Sequence, residues 1–389
     1  MTELQQLINE LCPNGVKFAA LEECCKILDN KRKPVTKAAR QAGEYPYYGA
    51  NGIQDYVSDY IFDGIFVLVG EDGSVVTPSG NPVVNWATGK IWVNNHAHII
   101  EEKDGVLLRY LYHYLQTVNV SALIHGNIPK LTGGDFRAIK VPVPPLPVQS
   151  EIVRILDNFT ELTAELTAEL TARKQQYAHY RDTLLKLDNN VPSYTLKDIC
   201  LSIADGDHMP PPKADSGVPF ITISNITETR QIDFSNVMYV PREYYDKLAD
   251  KRKAKRDDIL YTVVGSFGIP VHISSKTEFV FQRHIAILRP NQQMIVPRYM
   301  YHIMQSTEFY KQADKAAKGA AQRTIGLSSL GNMTIPLPSI EEQKRIVAIL
   351  DRFDTLCNDI SAGLPAEIEA RQKQYEYYRD KLLTFEPAK

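Results

Sequence analysis

The stretch that decides the fold is written twice. "VPVPPLPVQSEIVRILDNF", Val141 to Phe159, aligns without a gap on "IPLPSIEEQKRIVAILDRF", Ile335 to Phe353, with Gln149 over Gln343 and Asp157 over Asp351. Upstream, "RYLYHYLQ" from Arg109 matches "RYMYHIMQ" from Arg298; downstream, "QYAHYRDTLL" from Gln176 matches "QYEYYRDKLL" from Gln374. Weaker echoes keep the same order: "LEECC" at Leu21 with "LKDIC" at Leu196, "DGIFVLVG" at Asp63 with "DDILYTVVG" at Asp257, and "HAHII" at His96 with "HIAIL" at His284. An internal repeat of this length is a tandem duplication, each half being a variable globular part followed by a helical part.

The helical parts carry the clearest periodicity. Ile152, Ile155, Leu156, Phe159, Leu162, Leu166 and Leu170 recur at spacings of three and four, and Tyr177, Tyr180 and Leu184 continue the stripe. This predicts a helix of roughly 38 residues, about 57 Å long. In the second copy Ile346, Ile349, Leu350, Phe353, Leu356 and Ile360 are followed by "SAGLP", and the stripe resumes through Ile368, Tyr375, Tyr378 and Leu382. Proline within a helix forfeits a hydrogen bond, so a break is expected at Gly363-Leu364-Pro365, with Pro365 in the first turn of the resumed helix.

The globular parts read as α+β. "IFVLVG", "HAHII", "FITIS", "ILYTVV" and "FVF" are strand candidates, whereas "YPYYGANG", "GEDGS", "HGNIPKLTGG" and "GDHMPPPKADSG" read as loop-rich connectors. The expected segments are 1–142, a first globular domain; 143–188, a central helical spacer; 189–336, a second globular domain; and 337–389, a C-terminal helical spacer. "MTELQQLINEL" reads as a short packing helix ended by Pro13-Asn14-Gly15, without the basic front and apolar centre of a signal peptide. Together with the absence of an apolar run long enough to span a membrane, this points to the cytoplasm. Cys12, Cys24, Cys25, Cys200 and Cys357 have neither a disulfide framework nor metal-ligand spacing and are expected to be buried apolar residues.

Catalytic and cofactor motifs are missing from the sequence. "ATGK" at Ala87 runs into Ile91 and lacks the earlier glycine of a phosphate loop, and "VVGSFG" at Val263 reads as a strand ending in a tight turn. No Asn/Asp-Pro-Pro-aromatic tetrad for methyl transfer occurs. His96 and His98 are expected to point to opposite faces of a strand, so no metal site is expected from them. With 44 Lys plus Arg against 46 Asp plus Glu, nucleic-acid binding would have to come from local patches. Three such clusters exist: Lys31, Arg32, Lys33, Lys37 and Arg40; the run "DKLADKRKAKRDD" from Asp246, which on its own reads as a solvated helix face; and Lys311, Lys315, Lys318 and Arg323.

The order of variable part, helix, variable part, helix, with "QSEIVRILD", "EEQKRIVAILDRF" and the paired "YRDxLL" endings, resembles the specificity subunit of type I restriction-modification systems. The resemblance spans the whole chain. It implies two target-recognition domains, each reading one half of a split asymmetric site on double-stranded DNA, separated by two long antiparallel coiled-coil helices with pseudo-two-fold symmetry. It also implies two docked methyltransferase subunits and further motor-nuclease subunits, with S-adenosylmethionine, ATP and Mg²⁺ all belonging to those partners and no catalytic, cofactor or metal site in this chain. The residues matching the helical motifs, and hence expected in the spacer or in methyltransferase docking, are Gln149, Ile152, Ile155, Leu156, Tyr177, Tyr180 and Arg181, with Gln343, Ile346, Ile349, Leu350, Tyr375, Tyr378 and Arg379 in the second copy. Residue type alone nominates the DNA contacts: Lys31, Arg32, Tyr47, Tyr48, Asn51, Lys130, His208, Asn225, Lys251, Lys253, Arg256, Arg283 and Arg323. Two other readings compete: the recognition half of a fused restriction-methylation enzyme, and a coiled-coil scaffold without DNA function. The missing cofactor motifs count against the first and the two dissimilar globular parts against the second.

Within the first spacer, "TELTAELTAELTA" from Thr160 to Ala172 repeats every four residues. Ala, Glu and Leu favour helix, and Leu162, Leu166 and Leu170 keep a seam over a few turns. One such unit lengthens a helix by about 6 Å and turns it by about 40° beyond a full turn. A base pair advances DNA by about 3.4 Å, with a rotation of roughly 36° for about 10 base pairs per turn. "TAEL" is therefore a candidate ruler mark for the spacing of the half-sites.

Overall fold

The computed structural model describes residues 3–73, 75–188, 190–206, 211–320, 322–359 and 361–389. The chain divides into two compact units, one comprising the residues up to Glu165 together with Glu369–Lys389, the other Leu166–Ile368. Each unit holds one globular part, a portion of the helical tract that follows it and a portion of the tract from the other copy. The helices bury their apolar stripe in the globular cores: Ile152 and Leu156 share a core with Leu108, Tyr110 and Leu111, and Ile346 and Leu350 share one with Tyr299, Met300 and Ile303.

The first unit is built on a six-stranded sheet in the order Lys26–Ile27, Ala97–Glu101, Phe62–Gly70, Val84–Val93, Ala42–Gly49, Gly52–Val57. Neighbours are antiparallel except Ala42–Gly49, which runs parallel to Val84–Val93. The central strand explains its own sequence. Val67 and Val69 face the core that contains the helix Leu108–Leu115, while Phe66 and Leu68 face a second cluster with Phe62, Ile91 and Ile99. A strand covered on both faces needs a continuous apolar run rather than alternation, and "IFVLVG" supplies it.

The second unit repeats the principle with different sheets. Cys200–Asp205, Ile285–Pro290, Ile259–Thr262 and Pro270–His272 form a four-stranded antiparallel sheet, and Met238–Val240, Val218–Ile221 and Val280–Phe281 a three-stranded one. Ile259 and Tyr261 face the core containing Tyr299 and Ile303, whereas Leu260 faces a cluster with Ile221, Phe279 and Phe281. In both units a short strand pair ties the start of the globular part to its end: Phe18–Ala20 with Lys140–Pro142, and Ser193–Thr195 with Thr334–Pro336.

Three expectations change. "YPYYGANG" is no connector but a hairpin, Ala42–Gly49 against Gly52–Val57, with Gly52 in the left-handed region at φ 111°. Its tyrosines suit a pleated, half-buried surface, which outweighs the glycines as a loop signal. The basic run is not one helix face: Lys247 follows the end of the helix Arg242–Asp246, Lys251 and Arg252 lie in the 3-10 turn Asp250–Arg252, and Lys253, Lys255 and Arg256 lie beyond it. "FITIS" gives a strand only as far as Ile221 before turning into Ile223–Asn225.

The helical tracts follow the expected pattern. The first is a single helix, Leu146–Leu184, of 39 residues; the second is two helices, Ile340–Asn358 and Leu364–Leu382, with the break just before Leu364 and Pro365 in the first turn of the resumed helix. Gly363 is required there, because a Cβ would lie 2.5 Å from the Thr355 carbonyl oxygen. Among the described residues no helix is long and apolar enough to cross a membrane. Cys12, Cys24, Cys25 and Cys357 are buried and free; burial pushes the thiols of Cys25 and Cys200 up to about 12, so neither is a nucleophilic thiolate at neutral pH.

The repeated glutamine pins each helix start to its globular part. Gln149 Oε1 accepts from the Leu107 amide at 2.9 Å, while its Nε2 donates to the carbonyls of Gly105 and Pro144 at 3.0 and 2.8 Å. Gln343 does the same for the Val296 amide and the carbonyls of Met294 and Pro338, at 2.8, 3.1 and 2.9 Å. Both side chains are fully buried, so the three main-chain groups have no water to fall back on. Gln149→Ala and Gln343→Ala are each expected to cost on the order of 2–3 kcal/mol in urea unfolding. Gln→Glu, which keeps the acceptor but removes both donations and buries a charge, should cost at least as much.

Candidate nucleic-acid interface

The mounting of each globular part is a network that occurs twice. In the first unit the helix Leu108–Leu115 carries Arg109 and His113 four residues apart and therefore on one face. His113 Nε2 lies 2.8 Å from Asp157 of the long helix, Arg109 Nε donates to the same carboxylate oxygen at 2.8 Å, and His113 Nδ1 lies 3.0 Å from the Tyr375 hydroxyl. In the second unit His302 Nε2 lies 2.6 Å from Asp351, Arg298 Nε donates to Asp351 at 2.9 Å, and His302 Nδ1 lies 2.9 Å from the Tyr177 hydroxyl. Tyr375 belongs to the second copy and Tyr177 to the first. Each unit is thus closed by a tyrosine from the other repeat.

The chemistry fixes the protonation of both networks. A carboxylate only accepts, so Nε2 of each histidine carries the proton; in a neutral ring Nδ1 then accepts, and the tyrosine donates. Burial lowers the pKa of His113 and His302, the neighbouring arginine lowers it further, and the aspartate opposes both only in part. Burial alone would raise Asp157 and Asp351, but the hydrogen bonds from histidine and arginine overcome it and hold both below the ordinary carboxylate range. Two further contacts recur: the Tyr110 hydroxyl donates to the Pro142 carbonyl at 3.0 Å, and that of Tyr299 to Pro336 at 2.9 Å. The repeat "RYxYH" signalled this cluster, yet sequence reading assigned roles only to its tyrosine partners, because a histidine and an arginine gain a function here only once Asp157 and Asp351 are brought beside them.

The helix residues divide by depth. Ile152, Leu156, Ile346, Leu350 and Tyr177 are buried, while Ile155, Ile349, Leu162, Leu166, Leu170 and Tyr375 are half-buried. Tyr180 and Tyr378 are exposed; each stacks on a phenylalanine, Tyr180 on Phe353 and Tyr378 on Phe159, with centroids 5.3 and 5.4 Å apart. Arg181 and Arg379 lie over the rings of Tyr177 and Tyr375 at 5.7 and 5.6 Å.

The nominated DNA contacts separate into two groups. Lys31, Asn51, Lys130, Lys251, Arg256 and Arg283 are exposed. Asn51 and Lys130 converge with Gln54, Asp72, His96 and Ile128 on a cleft of about 490 Å³ in the first unit. Amide, imidazole and ammonium groups around one cleft are the donors and acceptors that read base edges. Gln54 and His96 were missed, since nothing in the sequence brings residues from four separate segments together.

The second group serves the framework. Arg32 pairs with Glu71 at 2.6 Å and donates to the Ala97 carbonyl at 2.7 Å. Tyr47 is buried under Arg40, its hydroxyl bonded to the Val35 main chain, and Tyr48 lies in the core beside Phe62. Asn225 is buried and donates to the carbonyls of Asp233 and Asn236. Lys253 donates to the Asp246 carbonyl and Arg323 pairs with Asp314. Hairpin and turn architecture consumes these polar groups, which leaves the buried ones no face for a base edge. His208 lies outside the described residues.

His96 and His98 do part, but not through strand alternation, under which residues two apart share a face. His96 precedes the strand Ala97–Glu101 and pairs with Asp72, whereas His98 is buried between Asp29 at 2.7 Å and the Leu131 carbonyl at 3.0 Å. Asp29, Glu71 and His98 lie close enough together to ligate a cation. Arg32 and Lys130 already neutralise those carboxylates, at 2.6 and 3.2 Å from Glu71, so the cluster is a satisfied ion-pair network.

Comparison with known proteins places this architecture. The model of the type I restriction modification DNA specificity domain matches residues 13–173 and again 189–370. A Haemophilus influenzae protein described as a putative type I restriction enzyme specificity subunit is 38% identical over 386 residues, covering 95% of this chain and 96% of its own. The Escherichia coli EcoR124I/EcoR124II specificity subunit is 37% identical over 303 residues, covering 73% of this chain and 72% of its own. The crystal structure of a type I restriction-modification S subunit from M. genitalium has the same fold, with a TM-score of 0.57 at 15% identity over 95% of this chain and 96% of that one.

Two tests address the mounting. Tyr375→Phe and Tyr177→Phe each strand a buried imidazole nitrogen, and each is expected to lower unfolding free energy by about 1–3 kcal/mol, whereas Tyr378→Phe, whose partner is a ring, should have little effect. The second concerns acid. The folded-state pKa values of His113 and His302 are depressed, so between those values and about 6.5 the unfolded chain binds more protons. Their contribution to stability is complete above 6.5 and is lost as pH falls through the folded values; Asp157 and Asp351 add a further loss below the ordinary carboxylate range. Thermal unfolding measured from pH 7.5 to 5 should fall steadily, and His113→Gln with His302→Gln should flatten the slope while lowering the plateau.

Proposed function

The chain belongs to the type I restriction-modification DNA specificity family, and from that membership we propose that its two globular parts each read one half of a bipartite, asymmetric site on double-stranded DNA. The observation that carries this reading is the pairing of an identical mount with unlike readers. The His–Asp–Arg–Tyr contacts recur between the same atoms in both units, with Asp354 as an added partner of Arg298 in the second, while one unit presents a six-stranded sheet and the other separate four- and three-stranded sheets. Selection of two different half-sites demands two different surfaces held by one kind of support.

In the first unit, Asn51, Gln54, His96 and Lys130 are the proposed base-edge and phosphate contacts. In the second, the exposed Lys251, Arg256 and Arg283 supply proposed phosphate contacts, with a salt-dependent contribution to affinity. The chain performs no chemistry in this reading. Two methyltransferase subunits dock on the helices, where Tyr180 and Tyr378 are exposed; they carry S-adenosylmethionine and methylate adenine. Motor-nuclease subunits bring ATP and Mg²⁺. The long helix sets the distance and the angular phase between the two reading surfaces, and the complex works in the cytoplasm.

Co-expression with the neighbouring methyltransferase gene, followed by genome-wide mapping of modified adenines, tests the assignment: two short specified blocks around an unspecified spacer are expected. Deleting Thr163–Leu166 removes one four-residue unit and should shorten the spacer by about one base pair, the step matched by its rotation of about 40° beyond a full turn. Both blocks should be unchanged. An unaltered spacer would refute the ruler while leaving the reading role intact; a single contiguous site would refute the reading itself.

A further inference from the structure

The two repeats are mounted alike, but at one equivalent position they differ in volume. Val67 pairs with Trp86 on one side and Ile100 on the other; Ile259 pairs with His272 on one side and Leu288 on the other. By strand register Ile100 corresponds to Leu288, and Trp86 to His272; the match is supported by their surroundings, since Trp86 neighbours Tyr112 and His272 neighbours Tyr301, its counterpart in the repeat. In the first unit the indole of Trp86 fills this place, with the Arg109 guanidinium 4.7 Å from its ring and Tyr112 edge-on at 5.7 Å. In the second unit the imidazole of His272 stands 6.3 Å from Tyr301, and a cavity of about 420 Å³ is present.

The walls of that cavity are chemically mixed. Phe234, Phe279 and Ile273 line it along with the hydroxyls of Ser274, Ser275 and Thr277, and Arg230 and Arg298 both contribute. Two carboxylates also line it, Asp354, which is paired with Arg298, and Asp359, which accepts from the Ser361 amide and hydroxyl and the Ala362 amide. Arg298 is committed to Asp351 and Asp354, at 2.6 and 2.7 Å. Arg230 is not so engaged: its Nε is buried with no hydrogen-bond partner among the described residues. Its backbone sits at φ 59°, a region that costs free energy for any residue with a Cβ. The only other non-glycine residue at positive φ among the described residues is Asp257, at 71°, and its carboxylate holds His272 Nε2 at 3.2 Å. Both strained positions thus converge on this one corner. Burial lowers the pKa of His272, and the Arg298 charge lowers it further, so the imidazole adds no positive charge of its own and the guanidinium of Arg230 is the cation left to meet an anion.

We propose that this cavity in the second unit binds a small phosphomonoester carrying an aromatic or apolar group, of the size of a nucleoside monophosphate, with Arg230 and the surrounding hydroxyls on the phosphate. A guanidinium with adjacent hydroxyl donors matches the several acceptor oxygens of a phosphate, and the volume falls within the range of small-molecule sites. The apolar wall accounts for the remainder of the ligand. This site is separate from the proposed DNA contacts, so its failure would leave the reading role standing.

The test is calorimetric titration of the full chain with adenosine monophosphate, with inorganic phosphate and adenosine as partial probes. Saturable binding of the monophosphate is expected, at least tenfold tighter than either part. Arg230→Gln should weaken it about tenfold or more. His272→Trp should abolish it by filling the cavity while preserving the circular-dichroism spectrum and the urea midpoint to within the change seen for Arg230→Gln, because the first unit already accommodates tryptophan at the matching position. The proposal is overturned if the monophosphate does not bind, or if it binds both variants as well as the parent. It is also overturned if Arg230→Gln leaves monophosphate binding intact and instead lowers the salt dependence of DNA binding, which would assign the guanidinium to a strand phosphate.

Discussion

A neutral imidazole buried away from water has one proton and one lone pair to satisfy, and it must find both partners inside the protein. His113 and His302 meet this constraint by taking the aspartate from the helix of their own copy and the tyrosine from the tail of the other. Neither repeat carries the complete set. A globular part lacking the opposite tail retains a buried nitrogen without a donor, at a cost comparable to a substantial share of the stability of a small domain. The arginines reinforce the arrangement. By binding the same carboxylates, they keep Asp157 and Asp351 ionised in partly buried surroundings and so keep each histidine in the tautomer that the tyrosine requires.

From this constraint follows a division of labour between constant and variable parts. The glutamine pins, the aspartates and the tyrosines recur without substitution, and so do the short strand pairs that close each globular part. What lies beyond them is free to diverge, and it has: the size of the sheets, their strand order and the parallel pairing all differ between the units. Loops carry recognition when a rigid scaffold positions them. Here the scaffold is specified by a few buried polar residues, so the readers can change without loss of the mount.

How far the sequence revealed this depended on the range of the interaction. Periodicity is local, so the long helix, its stripe and the break at Pro365 were all legible from spacing and from the geometry of proline. The strands buried on both faces were legible as apolar runs. The hairpin at Tyr45–Gly52 was not, because glycine and proline are turn signals whose weight is overridden when the intervening tyrosines pair across a sheet. Residue type also failed for Arg32, Tyr47 and Asn225, which look like nucleic-acid contacts in isolation. Each proved to satisfy a main-chain group or a carboxylate tens of residues away or across a turn, a relation that composition does not record. The cleft containing Asn51 and Lys130 gained Gln54 and His96 for the same reason.

The "TAEL" tract can now be understood as the part of the helix least committed to either mount. Three of its threonines, Thr160, Thr163 and Thr171, return their hydroxyls to carbonyls of the preceding turn, at 2.8, 2.8 and 3.0 Å, which satisfies those donors within the helix itself. Only one residue in four is a large apolar one, and the division between the two units falls inside the tract, between Glu165 and Leu166. A unit gained or lost here disturbs no polar network of the mounts. Yet the tract cannot grow without limit. A four-residue step overshoots the helical turn by about 40°, so Leu162, Leu166 and Leu170 drift progressively around the axis. After about three units the seam has moved by about 120°, more than the width of an apolar stripe of about 100°. The repeat therefore suits small changes of length and phase, and its extent is bounded by the same geometry that makes it useful.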